Sequence, residues 1–338
     1  MAEQNRQVLL KRRPQGMPVP EDFAIADAPL PEPGADQVLL RGIYLSLDPY
    51  MRGRVSGVRS YAKPVEIGDV IEGRVVGQVA RSRHPDFREG EYAFGGYGWQ
   101  LYSAVDGAGL QKLDPAEAPL STALGVLGMP GFTAYLGLAN IGQPQPGETV
   151  VVSAASGAVG AVAGQLAMRA GTRVVGIAGG PDKCRYVQEE LGFVACLDHR
   201  APDLGAALDS ACPKGIDVYF ENVGGAVQQA VFPRLNDFGR MVMCGMISEY
   251  NDTAPRPGPN LAAVVRKRLK IQGFIVSDQR HRHAEYRAVA APLVREGLLK
   301  YREDIVEGID SAPTAFIGLL QGRNFGKLLV RLAPDPTR

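Results

Sequence analysis

The segment from Val150 to Gly160 constrains the fold of this chain more than any other part of its sequence. Three valines, typical of a buried strand, lead into a stretch of small residues with AxxGxxG spacing. Such a stretch turns a strand sharply into a helix whose first N–H groups bind phosphate. We therefore predict a dinucleotide site built from the backbone of Gly157, Ala158, Val159 and Gly160.

Around this turn, short β-branched runs alternate with helical stretches. The predicted strands are residues 150–152, 173–177, 195–197, 216–220, 240–244 and 271–276. Strands that alternate with helices form a parallel sheet covered on both faces. We predict the α/β class, with a Rossmann doubly wound sheet in a cofactor-binding domain over residues 123–298. A long apolar helix over residues 121–138 is expected near the start of this domain.

The first 122 residues have a different pattern, because short apolar runs there are separated by polar residues, glycines and prolines. Residues 38–40, 43–45 and 67–79 are strand candidates, and the pattern is typical of an all-β domain with a barrel-like core. A helix over 312–320 and a strand over 327–332 are expected to return to it, so residues 299–338 would complete this domain. A chain of 338 residues is long enough for two domains.

Composition argues against several classes of protein. The net charge of +1 provides no basic excess for nucleic acid. The four cysteines include no CxxC pair, so neither a structural zinc site nor a disulfide framework is predicted. We see no signal peptide and no apolar run long enough to span a bilayer, and we expect a cytoplasmic protein.

The second predicted strand indicates which dinucleotide binds. It ends in Gly179 and Gly180, without the carboxylate that usually holds the ribose 2′-hydroxyl of NAD. Asp182 follows at a helix start, where an acid stabilises the helix dipole. Lys183 and Arg200 are cations near this strand end, and cations suit a 2′-phosphate. The residues favour NADPH over NADH, with a plain exposed helix residue as the alternative interpretation of Lys183.

No metal site is predicted. The β-rich part contains no cysteine and a single histidine, His84, whereas a catalytic zinc is commonly held by Cys and His. Redox chemistry would then depend on hydride transfer assisted by hydrogen-bond donors. This suits reduction of a conjugated carbon–carbon double bond, in which an oxyanion must be stabilised and a proton supplied. Tyrosine can do both.

Several motifs in order resemble one family over nearly the full length. They are LDPYMRG at 47–53, IGDVIEG at 67–73, GMPGFTAY at 128–135, ENVGG at 221–225, CGMISEYN at 244–251, QGFIV at 272–276 and GRNFGK at 322–327. The chain resembles the zinc-free prostaglandin reductase and alkenal double-bond reductase group of the medium-chain dehydrogenases/reductases, which includes bacterial NADPH-dependent curcumin reductases. The resemblance implies a GroES-like β-barrel catalytic domain and reduction of the C=C bond of enals and enones.

The resemblance also implies roles for individual side chains. Tyr250 matches a tyrosine beside the nicotinamide ribose and the substrate, as a proton donor or enolate stabiliser. Holding the cofactor without a proton role is the alternative. Tyr61 matches a tyrosine that closes over substrate, with a plain surface residue as the alternative. Tyr50 and Arg52 would line the pocket or anchor their loop.

Cofactor contacts are implied in the same way. Asn222 would lie at the carboxyl edge of the sheet, and Asn324 would reach the nicotinamide from the C-terminal segment. His199 stands where a tyrosine is usual near the 2′-phosphate, and its protonation would tighten binding at acid pH. The other implied contacts are Cys244, Gly245, Phe274, Ile275 and Val276.

The family further suggests a homodimer in which the sixth strands of two cofactor domains pair edge to edge, since an exposed strand edge invites pairing. The other partner would be a small unsaturated carbonyl compound. Two alternatives stay open: an NADPH:quinone reductase on the same fold, and a protein that binds NADPH without turnover. A zinc alcohol dehydrogenase has the least support.

Overall fold

The computed structural model describes residues 4–58 and 60–338, and the chain divides into two compact units. The first contains the described residues up to Leu124, together with Glu303–Asn324 and Leu328–Arg338. The second contains Gly125–Arg302 and Phe325–Lys327. We refer to them as the β-rich unit and the cofactor unit.

The β-rich unit is built mainly from antiparallel strands. They are β1 (Gln4–Leu10), β2 (Phe23–Pro29), β3 (Gln37–Ser46), β4 (Arg74–Ser82), β5 (Tyr92–Tyr97), β6 (Tyr102–Asp106), β7 (Gln111–Leu113), β14 (Glu303–Glu307) and β15 (Lys327–Arg331). The main sheet has the order β14-β15-β3-β4-β5-β7, with β6 also paired to β3, while β1 and β2 form a separate pair. Its helices are α1 (Met51–Ser56) and α9 (Ala312–Leu320).

The central strand β3 holds this unit together because its apolar side chains, Ile43 and Tyr44 among them, are buried. The C-terminal strand β15 pairs antiparallel with β3, which brings Leu329 opposite Ser46. The strand predicted over residues 67–79 was wrong in its first half. Residues 67–69 turn, with a φ of +93° at Gly68, Val70 makes only an isolated bridge to Leu9, and β4 begins at Arg74.

The cofactor unit alternates strands with helices. The strands are β8 (Thr149–Ser153), β9 (Arg173–Ala178), β10 (Ala195–Asp198), β11 (Ile216–Glu221), β12 (Leu235–Met243) and β13 (Lys270–Gly273). The helices are α2 (Met129–Gly137), α3 (Gly160–Arg169), α4 (Pro181–Glu189), α5 (Leu204–Ala211), α6 (Gly225–Val231), α7 (Ala262–Lys267) and α8 (His283–Arg295). All strand pairs are parallel, in the order β10-β9-β8-β11-β12-β13, and the predicted Rossmann sheet is confirmed.

Two predicted elements of this unit differ from the structure. The helix expected over 121–138 is interrupted, because Gly128 has extended backbone (φ −106°, ψ −151°) and α2 begins only at Met129, with Pro130 in its first turn. The strand expected over 271–276 ends at Gly273. Beyond it, Asp278 donates its N–H to the carbonyl of Ile275, and the chain leaves the sheet in a 3-10 turn.

Among the described residues, no helix is both long enough and apolar enough to cross a lipid bilayer.

Candidate active site

The glycine-rich turn joins β8 to α3 as the sequence predicted. A Cβ atom at Gly160 would lie 2.3 Å from the carbonyl oxygen of Ala154, and one at Gly164 would lie 1.8 Å from the ring of Phe193. Larger residues therefore cannot occupy these positions without moving backbone or ring. The close approach keeps the start of α3 tight against the sheet, while Gly157, Ala158 and Val159 remain half-buried before it. This is the geometry that phosphate binding at a helix start requires.

An imidazole and a guanidinium from the two residues after β10 lie against the end of β9. A Cβ atom at Gly179 would meet Nε2 of His199 at 2.9 Å and Nε of Arg200 at 3.2 Å. Lys183 lies half-buried in the first turn of α4, and its charge acts on His199. Three of the predicted residues thus meet around the tip of β9.

The carboxylate of Asp198, close to this tip, is bound by backbone N–H groups. Its Oδ1 accepts N–H groups from Gly180 at 2.8 Å and from Arg200 at 2.9 Å. Burial opposes ionisation, but these two N–H groups lower the pKa of Asp198 below its usual value. The carboxylate therefore shapes the loop around Gly180, and the cationic groups are left to face an anion.

The pKa of His199 is lowered, first by burial and then by the Arg200 cation, although Asp198 opposes both. The imidazole is therefore neutral at neutral pH, and it takes up a proton only in more acidic solution.

A second cluster lies at the carboxyl ends of β8, β11 and β12. The side-chain amide of Asn222 donates to the carbonyl of Ser153 at 2.7 Å. A Cβ atom at Gly245 would lie 2.8 Å from the hydroxyl of Tyr250 and 3.7 Å from the carbonyl oxygen of Asn222. The N–H groups of Cys244 and Gly245 both donate to the carbonyl of Glu221. The structure thus brings together Asn222, Cys244, Gly245 and Tyr250.

Sequence reasoning missed two residues that hold this cluster. Ser153 Oγ donates to Oε1 of the fully buried Glu221 at 2.9 Å and accepts the N–H of Asn222 at 2.8 Å. The same carboxylate oxygen accepts the N–H of Val223 at 2.6 Å. Ser153 and Glu221 are 68 residues apart. The signal in the sequence was a polar residue at the end of each of two largely apolar strands.

Glu249 is a third missed residue. Its Oε1 accepts the N–H of Gly225 at 2.8 Å, at the start of α6. The N–H of Ser248 donates to the carbonyl of Val223 at 2.9 Å. Both bonds attach the segment that carries Tyr250 to the end of β11. The hydroxyl of Tyr250 in turn accepts the N–H of Met246 at 3.3 Å.

The Cys244 thiol is a poor nucleophile. Burial and then the nearby Glu221 raise its pKa to about 12. All four cysteines are free thiols in the structure. Cys244 therefore contributes shape and backbone to the cluster and supplies no thiolate at neutral pH.

The β-rich unit holds the other predicted site residues. Tyr50 is half-buried just before α1, whereas Tyr61 is 57% exposed. Burial is the main cause that raises the pKa of each phenol, so both stay protonated at neutral pH. Arg52 is 5% exposed and its Nη2 donates to the carbonyl of Gly16 at 2.7 Å. Of the two roles considered for Arg52, this contact favours anchoring of the loop.

The remaining predicted cofactor contacts come from two other segments of the chain. Phe274, Ile275 and Val276 follow β13, whose pairing of Gly273 with Met243 places Phe274 at the same sheet edge as Cys244. They are half-buried and lie outside the strand. Asn324 belongs to the β-rich unit, between α9 and β15, and is also half-buried.

Within the described ranges, no group of three His, Cys, Asp or Glu side chains could hold a metal ion. A zinc ion of the kind found in related dehydrogenases does not fit this set of donors, and we assign it no step.

Two family models match the chain. "N-terminal domain of oxidoreductase" matches residues 6–113, and "Zinc-binding dehydrogenase" matches residues 158–295. Together with the parallel sheet and its glycine-rich turn, they define an oxidoreductase of the medium-chain dehydrogenase/reductase class.

Curated relatives narrow this class. The chain is 50% identical to the NADPH-dependent curcumin reductase of Escherichia coli (strain K12), over 98% of each chain. It is 40% identical to the NADP(+)-dependent 2-alkenal reductase of Nicotiana tabacum, over 99% of this chain and 100% of that one. It is also 40% identical to prostaglandin reductase 1 of Rattus norvegicus, over 95% and 97%. The chain belongs to the family of curcumin, alkenal and prostaglandin reductases.

Solved structures agree with this assignment. CurA from Vibrio vulnificus in complex with NADPH is 48% identical and superposes with a TM-score of 0.93, over 98% of this chain and 100% of that one. The NADPH complex of Escherichia coli quinone oxidoreductase shares the fold at 19% identity, with a TM-score of 0.77 over 97% and 99%. The second likeness concerns fold alone.

Proposed function

We propose that this chain reduces the carbon–carbon double bond of α,β-unsaturated aldehydes and ketones, curcumin-like compounds included, with NADPH. The observation that carries the proposal is the cluster at the carboxyl ends of β11 and β12, where the Tyr250 hydroxyl lies beside Gly245 and Asn222. Ligands of doubly wound sheets bind at this edge. The full-length likeness to a curcumin reductase and an alkenal reductase supports the choice of substrate class.

The cofactor unit fits NADPH at two places. The turn before α3 is tight enough to approach a pyrophosphate, as the contacts of Gly160 indicate. His199, Arg200 and Lys183 surround the tip of β9, where a 2′-phosphate needs positive charge and hydrogen-bond donors. When bound, the nicotinamide supplies a hydride to the β-carbon of the substrate.

Tyr250 is our first candidate for handling the charge and proton that follow. Once the β-carbon is reduced, negative charge resides on the carbonyl oxygen, and a proton must reach the α-carbon. A phenol can donate a hydrogen bond to that oxygen or pass on its proton. The N–H of Met246, which already points at the Tyr250 oxygen, stabilises that oxygen as negative charge develops on it.

Tyr61 is the second candidate for handling the charge and the proton, and Tyr50 is proposed to line the substrate pocket. A tyrosine phenol is protonated at neutral pH, and desolvation raises the pKa of both phenols further, so each can act as a hydrogen-bond donor. The alternative roles, a cofactor-holding Tyr250 and a plain surface Tyr61, are outcomes that substitution distinguishes.

The test is NADPH consumption by the purified protein with five acceptors: a medium-chain 2-alkenal, a 3-alken-2-one, curcumin, a simple quinone and a saturated aldehyde. NADH is run in parallel. The proposal expects turnover of the alkenal, enone or curcumin to the saturated carbonyl product, with a preference for NADPH. Turnover of the quinone alone would move the assignment to a quinone reductase. NADPH binding without any turnover would indicate a binding protein.

A further inference from the structure

Arg54, in α1, lies between two of the tyrosines assigned to the pocket. Its guanidinium carbon is 5.7 Å from the centre of the Tyr50 ring and 5.0 Å from the centre of the Tyr61 ring. The Arg54 side chain is only 12% exposed, although Tyr61 is 57% exposed. An exposed aromatic ring thus rests on a charged group that is itself largely withdrawn from solvent.

Two nitrogens of this guanidinium, Nε and Nη1, lack hydrogen-bond partners among the described residues. Its Nε lies 3.3 Å from a carboxylate oxygen of Glu72, outside hydrogen-bond geometry. In the described part of the chain, neither Nε nor Nη1 has a hydrogen-bond partner, and both atoms are buried. Buried donors without partners are rare and call for a compensating interaction. Two interactions compensate here: the ion pair with Glu72 at 3.3 Å, and the faces of the two rings, since aromatic faces attract cations within about 6 Å.

Arg54 is connected to both ends of the segment that carries Tyr61. Helix α1 ends at Ser56, and Gly57 follows with a φ of +76°, so the chain turns away three residues after Arg54. On the return, the N–H of Val65 donates to the carbonyl of Arg54 at 2.9 Å. The backbone of Arg54 therefore closes the loop, and its side chain meets the ring at the loop's outer part.

We propose that Arg54 is a positioning residue that holds the Tyr61 ring beside Tyr50, and that it thereby favours extended aromatic enones over short aliphatic enals. The inference rests on the proposed function, in which both tyrosines face substrate. A side chain that substrate must order on binding lowers affinity. Removal of Arg54 should therefore weaken the binding of substrates that contact Tyr61 and leave the binding of other substrates unchanged.

The kinetic test compares Arg54→Met and Arg54→Lys with the parent enzyme, using curcumin and a medium-chain 2-alkenal. For Arg54→Met we expect the KM for curcumin to rise about fivefold with kcat within about twofold, and the KM for the alkenal to change less than about twofold. Arg54→Lys keeps a cation and should recover most of the curcumin affinity. Equal KM increases for both substrates would overturn the specificity claim.

A second readout does not depend on activity. Fluorotyrosine placed at position 61 reports its surroundings by fluorine NMR, and Arg54→Met should move its resonance toward that of the free amino acid. Arg331→Met is the matched control, because it removes a guanidinium 5.9 Å from the ring of Tyr44 in the same unit. The control should leave the position-61 resonance in place.

The two readouts separate the inference from the function on which it rests. An unchanged resonance in Arg54→Met would overturn the positioning role, whatever the kinetics. A shifted resonance with unchanged kinetics, together with a silent Tyr61→Ala variant, would uphold the positioning of Tyr61 and remove Tyr61 from the substrate site. A shifted resonance with a selective loss of curcumin affinity supports the whole inference.

Discussion

At the scale of single residues, the proposed chemistry depends most on the hydroxyl of Tyr250. Replacing Tyr250 with Phe keeps the ring but removes the group that would donate to the developing enolate. We expect kcat to fall about 100-fold, the usual size of a proton-transfer contribution, with little change in NADPH affinity. Steady-state kinetics and NADPH titration would measure the two quantities.

Tyr186→Phe is the control for this substitution. Tyr186 lies in the same unit, and its hydroxyl is buried without a hydrogen-bond partner among the described residues. Its removal should leave both quantities unchanged. A Tyr250→Phe enzyme with normal kcat and weaker NADPH binding would instead identify Tyr250 as a cofactor-holding residue.

We predict that His199 makes NADPH affinity depend on pH. Burial and Arg200 lower its pKa, so the imidazole is neutral at neutral pH and becomes cationic only on acidification. A cation here attracts the 2′-phosphate, so the Kd for NADPH should fall as pH falls through this pKa. NADH lacks that phosphate and should show no such trend.

Fluorescence titration from neutral to mildly acidic pH, with the parent and with His199→Gln, would measure this effect. The variant should lose the additional tightening, and the difference between the two proteins cancels titration of the phosphate itself. Identical pH profiles would exclude a charge contribution from His199.

At the scale of elements, the packing of α3 against the segment that precedes β10 depends on Gly164. A Cβ at this position would lie 1.8 Å from the Phe193 ring. Alanine stabilises a helix by up to about 1 kcal/mol relative to glycine, but overpacking costs about 1–3 kcal/mol. We therefore expect Gly164→Ala to lower the free energy of unfolding by about 1–2 kcal/mol, measured by urea denaturation.

Gly258→Ala serves as the comparison, because nothing lies within 4 Å of a Cβ added there. Its effect should stay within about 0.5 kcal/mol. A Gly164→Ala protein as stable as Gly258→Ala would show that the ring of Phe193 moves aside at no cost.

Local sequence pattern predicted an element well where only one structure is compatible with that pattern. The valines of β8 and the small residues after them specified a strand, a turn and a helix, because few other residues fit that turn. The helix over 121–138 was predicted as continuous because its composition is apolar throughout. The extended backbone at Gly128 that divides it depends on local geometry that hydrophobic pattern does not contain.

The residues that orient the candidate site could not be predicted from the sequence, for a different reason. Ser153 and Glu221 belong to neighbouring strands, but they are 68 residues apart in sequence. Their hydrogen bond exists only because β8 and β11 lie side by side. Residues that belong to a recognisable motif, such as Asn222 and Tyr250, could be named in advance, whereas the side chains that orient them could not.

At the scale of the whole molecule, β13 forms an open edge of the parallel sheet. It lies last in the strand order, and all four of its residues are exposed, Ile271 among them. Leu261 and Val265, which precede it, are 63% and 81% exposed. An apolar strand edge of this kind invites pairing, and we predict that a second copy of the chain covers it.

Sedimentation velocity of the parent, Ile271→Lys and Val194→Lys would test this homodimer. Ile271→Lys places a charge on the β13 edge and should shift the protein toward monomer. Val194 is 49% exposed just before β10, at the opposite edge of the sheet, so its substitution should leave the oligomeric state unchanged. A monomeric parent protein, or equal behaviour of the two variants, would exclude pairing through β13.

The central claim is that hydride reaches the β-carbon of an unsaturated carbonyl compound. The most direct measurement is NMR of the product formed from an enone and NADPH that carries deuterium at the transferred position. The account predicts a saturated ketone with deuterium on the β-carbon and a solvent-derived proton on the α-carbon. An allylic alcohol with deuterium on the former carbonyl carbon would contradict it and would identify a carbonyl reductase.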